Sequence, residues 1–112
     1  MLIQDFEKMF EETQEHSRNV LIEKAREYAN PTDRLHNFKE AANVDCATPE
    51  MALWGMFMKH FISIKDIKDS ASFQRVSKEM LNEKFGDAIN YLILLKALLY
   101  ERYGYCEVPK KK

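Results

Sequence analysis

The amino-acid sequence predicts an all-α protein, a four- or five-helix bundle formed by a single domain over residues 1–112. Three observations favour this class. Only three glycines and three prolines occur in the chain, too few for the many turns of a sheet protein. Apolar residues make up 46% of the sequence and recur at helical spacing along most of it. Two of the prolines lie where a helix would begin.

The first helical region is predicted over the N-terminal quarter of the chain. Two groups of apolar residues recur there at intervals of three or four, which fits one long helix or two helices with a break. The groups are Leu2, Ile3, Phe6, Met9 and Phe10, and then Val20, Leu21, Ala25 and Tyr28. His16 lies in the polar stretch between them and is expected at the surface. Residues 1–19 are expected to serve in oligomerisation, because an apolar stripe ahead of the core often docks on a second chain.

Each of the next two helices is predicted to begin at a proline. The stretch 30–33 offers Asn as N-cap, Pro in the first turn and an acid at the positive end of the dipole, so a second helix is expected from about Pro31 to Ala42. The stretch 48–50 repeats this pattern and predicts a third helix extending to Ile67. The large apolar residues of the third helix are expected in the core. They include Met51, Trp54, Met56 and Met58.

A last helix is predicted after a loop at 69–72. Its apolar positions run from Val76 to Tyr103, and Gly104 can end it in the left-handed conformation. Beyond Ala88 nearly every side of this helix is apolar, so we expect it at the centre of the bundle, packed by the third helix and the N-terminal region. Residues 107–112 are expected to form a disordered tail.

Charge and cysteine usage exclude several function classes. Seventeen basic and eighteen acidic residues give a net charge of −1, and the only basic run is 110–112, so we do not expect nucleic-acid binding. Cys46 and Cys106 are far apart and no signal peptide precedes them, which indicates reduced thiols in a cytoplasmic protein, the host cytoplasm if the chain is phage-encoded. No apolar stretch is long enough to span a membrane.

Candidate functional residues are the polar side chains that interrupt the apolar helices. A buried polar group without a partner costs about 1–3 kcal/mol, so such residues need a reason to be there. They are Arg34, His36 and Asn37 on the second helix, Lys59 and His60 on the third, followed by Ser63, and Glu83, Asp87, Asn90 and Tyr91 on the last. If the second helix crosses the other two, these side chains converge on one cleft.

Two interpretations of this cluster stay open. It can be a structural network, in which Asp87 or Glu83 pairs with a cation and the histidines bond to backbone. It can instead be a site, in which Glu83 and Asp87 hold Mg²⁺, an ion that prefers oxygen ligands. Lys59, His60 and Arg34 would then face a phosphate.

The chain resembles a group of small helical proteins common in phages and prophages. The matching segments are 28–39, 48–50, 59–63 and 83–92, within a likeness that covers about residues 20–103. The group is in turn similar to MazG-like all-α nucleoside triphosphate pyrophosphatases and to helical domains associated with nucleotide modification. The resemblance implies an all-α fold and a nucleotide ligand.

The MazG-like pattern places an ExxE pair and a later ExxD pair around Mg²⁺ and a triphosphate. Here Asp87 matches the later pair, but Lys84 stands at its first acid with Glu83 beside it. The third helix has Lys59 and His60 and no carboxylate pair in the place of the earlier one.

We therefore predict a cytoplasmic homo-oligomer that binds a phosphorylated small molecule, a nucleotide by class. Asn37, Asn90 and Tyr91 would orient the ligand, with His36 nearby, and any hydrolysis would be metal-assisted cleavage of a phosphoanhydride. His60 or a carboxylate would activate the water. The rival hypothesis is a non-enzymatic interaction protein, such as a phage accessory factor acting on a host protein, in which the polar cluster only stabilises the fold.

Overall fold

The structure is a computed structural model that describes residues 1–27, 30, 32–45 and 47–110. These residues form four α-helices and no strand: α1 (Ile3–Arg18), α2 (His36–Asp45), α3 (Pro49–Ser70) and α4 (Lys78–Arg102). The predicted all-α class is therefore confirmed.

The N-terminal region is one helical path whose winding changes. After α1 the backbone widens into a π-helical turn at Asn19–Glu23 and then tightens into a 3-10 turn at Lys24–Glu27. Arg34 donates a hydrogen bond from Nε to the carbonyl of Leu21 at 3.1 Å, which ties the segment before α2 to the π-helical turn. The predicted position Tyr28 lies outside the described residues.

The start predicted for the second helix was wrong by five residues, since α2 begins at His36. Asn30 was predicted to be the N-cap of this helix, but its Oδ1 accepts from the N–H groups of Thr32 and Asp33 at 3.0 and 2.8 Å and closes a separate turn before α2. Asp33 then accepts from the Leu35 N–H at 2.9 Å. These local side-chain bonds compete with the helical ladder, so the helix starts only after them.

The start of α3 and the end of α4 follow the predicted capping chemistry, whereas the cap at the start of α4 was not predicted. The Thr48 hydroxyl accepts from the Met51 N–H at 3.2 Å, with Pro49 in the first turn, as expected. Ser77 caps α4 by accepting from the Met80 N–H at 3.1 Å. Gly104 follows α4 with φ +79°, the left-handed conformation that glycine adopts without cost.

The core lies where α2 packs against the α3–α4 hairpin. It is small, and its buried members are Leu35, Phe38, Leu53, Phe57 and Leu98. As expected, α4 is central, in contact with α3 on one side and α1 on another. It is not fully covered, however, because Phe85, Leu92 and Ile93 stay half-exposed.

Two sets of ion pairs join the helix ends around this core. Lys39 on α2 places Nζ 2.7 Å from both Asp33 and Glu101, the second of which lies on α4. Arg102 on α4 donates two hydrogen bonds of 2.8 Å to the Glu50 carboxylate at the start of α3. These bonds hold the pKa of Glu50 below its ordinary value of 4.5.

Several predicted core positions are at the surface. Trp54 is 48% exposed and packs on Phe57 with ring centroids 5.4 Å apart and planes inclined by 50°. Its core assignment was wrong, as it was for Met51 and Met56. The third helix has apolar residues on more sides than its two neighbours can cover.

The remaining predictions concern the C-terminal end and the membrane. Cys106 is an exposed free thiol, as expected, while Cys46 lies outside the described residues. Residues 107–110 have no regular secondary structure, and 111–112 of the predicted tail are not described. Within the described part of the chain, every helix is too short or too polar to cross a membrane.

The buried position of Leu53 generates a first prediction. Leu53→Ala should lower the free energy of unfolding by about 2–5 kcal/mol, because the side chain is 0% exposed and its removal leaves a cavity. Urea unfolding followed by circular dichroism measures the loss. Leu92→Ala removes the same atoms from a half-exposed position and should cost clearly less. Equal losses in the two variants would contradict the described core.

A second prediction concerns acid stability. Since the pKa of Glu50 is lower in the folded protein than its ordinary 4.5, its contribution is present above pH 4.5 and is lost as the pH falls through the folded value. Glu50→Gln should therefore reduce stability at pH 7 and flatten the acid limb of the stability curve. Glu40→Gln, on an exposed residue of α2, should leave that limb unchanged.

Candidate functional site between helices α3 and α4

Three of the predicted site residues meet at the contact between α3 and α4. His60 on α3 places Nδ1 3.9 Å from Oδ2 of Asp87 on α4. Its imidazole also stacks on Tyr91, with ring centroids 4.7 Å apart and planes inclined by 28°. Asp87 and Tyr91 are four residues apart and share one face of α4, so both can meet one residue of α3. We call His60, Asp87 and Tyr91 the trio.

The trio is open to solvent. The side chains of His60 and Asp87 are 18% and 37% exposed, so a ligand can reach both. The 3.9 Å separation is too long for a hydrogen bond, and the contact is an ion pair only when the imidazole is protonated. The Asp87 carboxylate therefore keeps its capacity to accept from a ligand or to bind a cation.

Charged residues flank the trio on both helices. Glu83 and Lys59, both predicted site residues, are exposed, one turn before Asp87 on α4 and beside His60 on α3. Lys84 is half-buried three residues before Asp87, on the same side of α4. The sequence prediction did not include Lys84 among the ligand contacts, although its spacing from Asp87 signals it. The Ser63 hydroxyl donates to the Lys59 carbonyl at 3.1 Å and so bonds within α3.

The other predicted residues do not join the trio. Arg34 is tied to the π-helical turn after α1, since its Nε donates to the Leu21 carbonyl. Asn37 is exposed and His36 is half-buried in the first turn of α2. Asn90 is only 4% exposed. The structure thus forms a smaller site, built from α3 and α4, in place of one cleft shared by three helices.

Metal binding at the trio would depend on few protein ligands. In the part of the chain that the structure describes, no three His, Cys, Asp or Glu side chains form a group able to hold a metal ion. Glu83 and Asp87, one turn apart, are the carboxylates that the site offers to Mg²⁺. Two carboxylates with waters and ligand phosphates match the usual way in which Mg²⁺ is held, whereas an all-protein cage is not formed.

A second polar cluster lies where α1 crosses α4. His16 packs directly on Gly86, so a Cβ built at Gly86 would lie 2.5 Å from the His16 Cδ2 atom. Only glycine permits this approach without displacing the imidazole. The prediction that His16 lies at the surface was wrong, because its Nε2 atom is buried in this contact.

Polar atoms near this crossing have no hydrogen-bond partner among the described residues. They are Nε2 of His16, Oγ of Ser17 and both amide atoms of Asn90, all buried. Asn90 follows Gly86 by one turn and so lies on the side of α4 that α1 approaches. Each such group costs about 1–3 kcal/mol. The α1–α4 contact therefore leaves more buried polar atoms without hydrogen bonds than the contact of α3 with α4.

Comparison of the chain with family models, with curated proteins and with solved structures found no match.

A third prediction tests the buried amide. Asn90→Leu should raise the free energy of unfolding by about 1–2 kcal/mol, because it removes two buried polar atoms that lack partners and adds a better helix former. Thermal and urea unfolding measure the change. Asn43→Leu, at an exposed position of α2, should change stability far less. A loss of stability in Asn90→Leu would mean that the amide does have a partner in the working protein.

Proposed function

We propose that this chain binds a phosphorylated small molecule, a nucleotide by class, at the trio. The observation that carries the proposal is the meeting of His60, Asp87 and Tyr91 at a solvent-exposed contact of two helices. They are the kinds of group that a nucleotide needs: an aromatic face, a cationic or hydrogen-bonding ring and a carboxylate.

Each group has a distinct part in the proposed binding. The stacked rings of His60 and Tyr91 offer an edge and a face to a base. Lys59 and Lys84 supply positive charge for the phosphates, while Glu83 and Asp87 would hold hydrated Mg²⁺ beside them. The resemblance to MazG-like pyrophosphatases supports the same ligand class.

Any reaction at this site would be hydrolysis of a phosphoanhydride. Water would add to a phosphorus atom as its bond to the bridging oxygen breaks, and Asp87 or His60 would take the proton. Mg²⁺, when bound, would neutralise charge on the phosphate oxygens. We further propose that the protein acts in the cytoplasm, that of the host if it is phage-encoded, and as a homo-oligomer.

A second candidate function is that of a non-enzymatic interaction protein, such as an accessory factor that binds a host protein. The specific observation in its favour is the amount of apolar side chain at the surface, with Ile3, Phe6 and Trp54 among the exposed residues. Under this hypothesis the trio only helps to hold α3 on α4.

A fourth prediction separates the two candidates. Thermal unfolding with nucleoside mono-, di- and triphosphates, each with and without Mg²⁺, should show stabilisation by at least one of them. A ligand at 100 times its Kd raises the unfolding free energy by about 2.7 kcal/mol. Asp87→Asn should abolish this response while the protein stays folded.

Asp66→Asn is the matched control, because Asp66 is an exposed aspartate on α3 outside the trio. It should keep the full ligand response. No response to any nucleotide in the wild-type protein, or an equal response in Asp87→Asn, would overturn the ligand proposal and leave the interaction function favoured.

A further inference from the structure

The N-terminal half of α1 projects from the rest of the molecule. Every residue from Met1 to Glu11 is exposed, including the apolar Ile3 at 78% and Phe6 at 53%. Glu12 is the first residue of α1 that is half-buried, and it forms an ion pair with Lys78 at the start of α4. Residues 1–11 thus extend beyond the end of the helix on which the rest of α1 packs.

The exposed apolar residues continue the face that α1 turns towards α4. Ile3, Phe6, Phe10 and Ser17 follow one another at intervals of three, four and seven residues, which places them on one side of the helix. Ser17, at the α4 end of this row, is buried. The face therefore has a partner at its C-terminal end, and at its N-terminal end none of the described residues covers it.

Most helical stability in proteins comes from packing an apolar face. The projecting part of α1 continues directly into the packed part of the helix, but its own apolar side chains are exposed. A surface that covered them would therefore stabilise this part of α1.

The dimensions of the chain indicate how much surface needs a cover. A compact protein of 13.2 kDa should expose about 6400 Å², whereas this chain exposes 8960 Å². Its radius of gyration is 16.5 Å, against about 13 Å for a compact domain of this length. The excess of exposed surface is therefore about 2500 Å² per chain. If each of two chains buried half of its excess in their contact, the interface would bury about 2500 Å² in total, which is within the range of obligate homodimers.

A groove able to receive a helix runs between α1 and α4. Its volume is about 1510 Å³, larger than the roughly 300–1000 Å³ of small-molecule pockets. The walls are mainly apolar. They include Phe10 of α1, Leu21 of the π-helical turn, and Leu81, Phe85, Ile89 and Ile93 of α4. The half-exposed apolar surface of α4 is therefore concentrated along this groove.

Charge also favours a second α1 as the occupant. Residues 1–11 contain three acids, Asp5, Glu7 and Glu11, and one base, Lys8. Arg18 and Arg34 line the groove, both exposed. The acidic side of an incoming α1 would meet these cations, while its apolar side would meet the walls.

We infer that the protein is a two-fold symmetric dimer in which residues 1–11 of each copy occupy the α1–α4 groove of the other. Each chain carries both the groove and the segment that fills it. Two chains can therefore form the same contact in both directions, which gives a closed dimer. This deepens the homo-oligomer proposed above by naming its surface, and it does not depend on the trio binding a ligand.

The mass of the full chain in solution tests this inference. Size-exclusion chromatography with light scattering should give twice 13.2 kDa for the wild type. Phe6→Glu, in the projecting segment, and Leu81→Glu, in the opposite wall, should each weaken the dimer at least 100-fold and give the mass of one chain. Phe73→Glu, at an exposed phenylalanine of the turn between α3 and α4, is the matched control and should stay dimeric.

Circular dichroism of each variant shows whether it still folds, and if Phe6→Glu unfolds, Leu81→Glu decides. A wild-type monomer at millimolar concentration would overturn the inference and make a different protein the partner of α1. A dimer that survives both substitutions but is lost in Phe73→Glu would place the interface elsewhere. The ligand response of the trio is measured separately, so the failure of one proposal is distinguishable from that of the other.

Discussion

The constraint on which this structure depends is that α4 beyond Ala88 is apolar on nearly all sides, while the described residues supply only three other α-helices to cover it. A helix of this kind is stable only when buried, because apolar surface in water costs about 25 cal/mol for each Å². The α3 helix covers one side, aided by α2, and the C-terminal half of α1 covers another. Phe85, Leu92 and Ile93 remain half-exposed. The core is small and the molecule is elongated because too few helices pack on the apolar surface of α4.

The polar residues of the molecule divide into two groups with different physical situations. The trio lies at an edge of the α3–α4 contact, where water or a ligand can satisfy its hydrogen-bonding capacity. Asn90 of α4 and Ser17 of α1 are buried, and their side chains have no hydrogen-bond partner among the described residues. Burying a polar side chain costs free energy unless it forms hydrogen bonds. The trio is therefore suited to ligand binding. Asn90 and Ser17 mark a helix contact that is not optimised for stability.

The two groups are adjacent along α4. Gly86 carries the imidazole of His16 on one side, and the next residue, Asp87, faces His60 on another. One turn of α4 therefore supports both the packing of α1 and the geometry of the trio.

The sequence by itself determined the features that depend on neighbouring residues. The cap at Thr48, the left-handed Gly104 and the spacing of apolar residues in α3 and α4 are local, and they were predicted because their physical causes lie within a few residues. Asp87 and Tyr91 were predicted in one cluster with His60, and their common face on α4 follows from the helix period. Asn90, predicted in the same cluster, is buried away from them.

Only the tertiary structure decided which faces find a partner. Trp54 lies at helical spacing among apolar residues, yet it is exposed because no other helix covers that side of α3. His16 lies in a polar stretch, yet it is packed on Gly86 because a glycine 70 residues later lets the two helices approach. Arg34 was separated from the trio by a bond to the carbonyl of Leu21 at a π-helical turn. The helix period determines which residues share a face. Which residues pack against that face depends on the positions of helices that are distant in sequence.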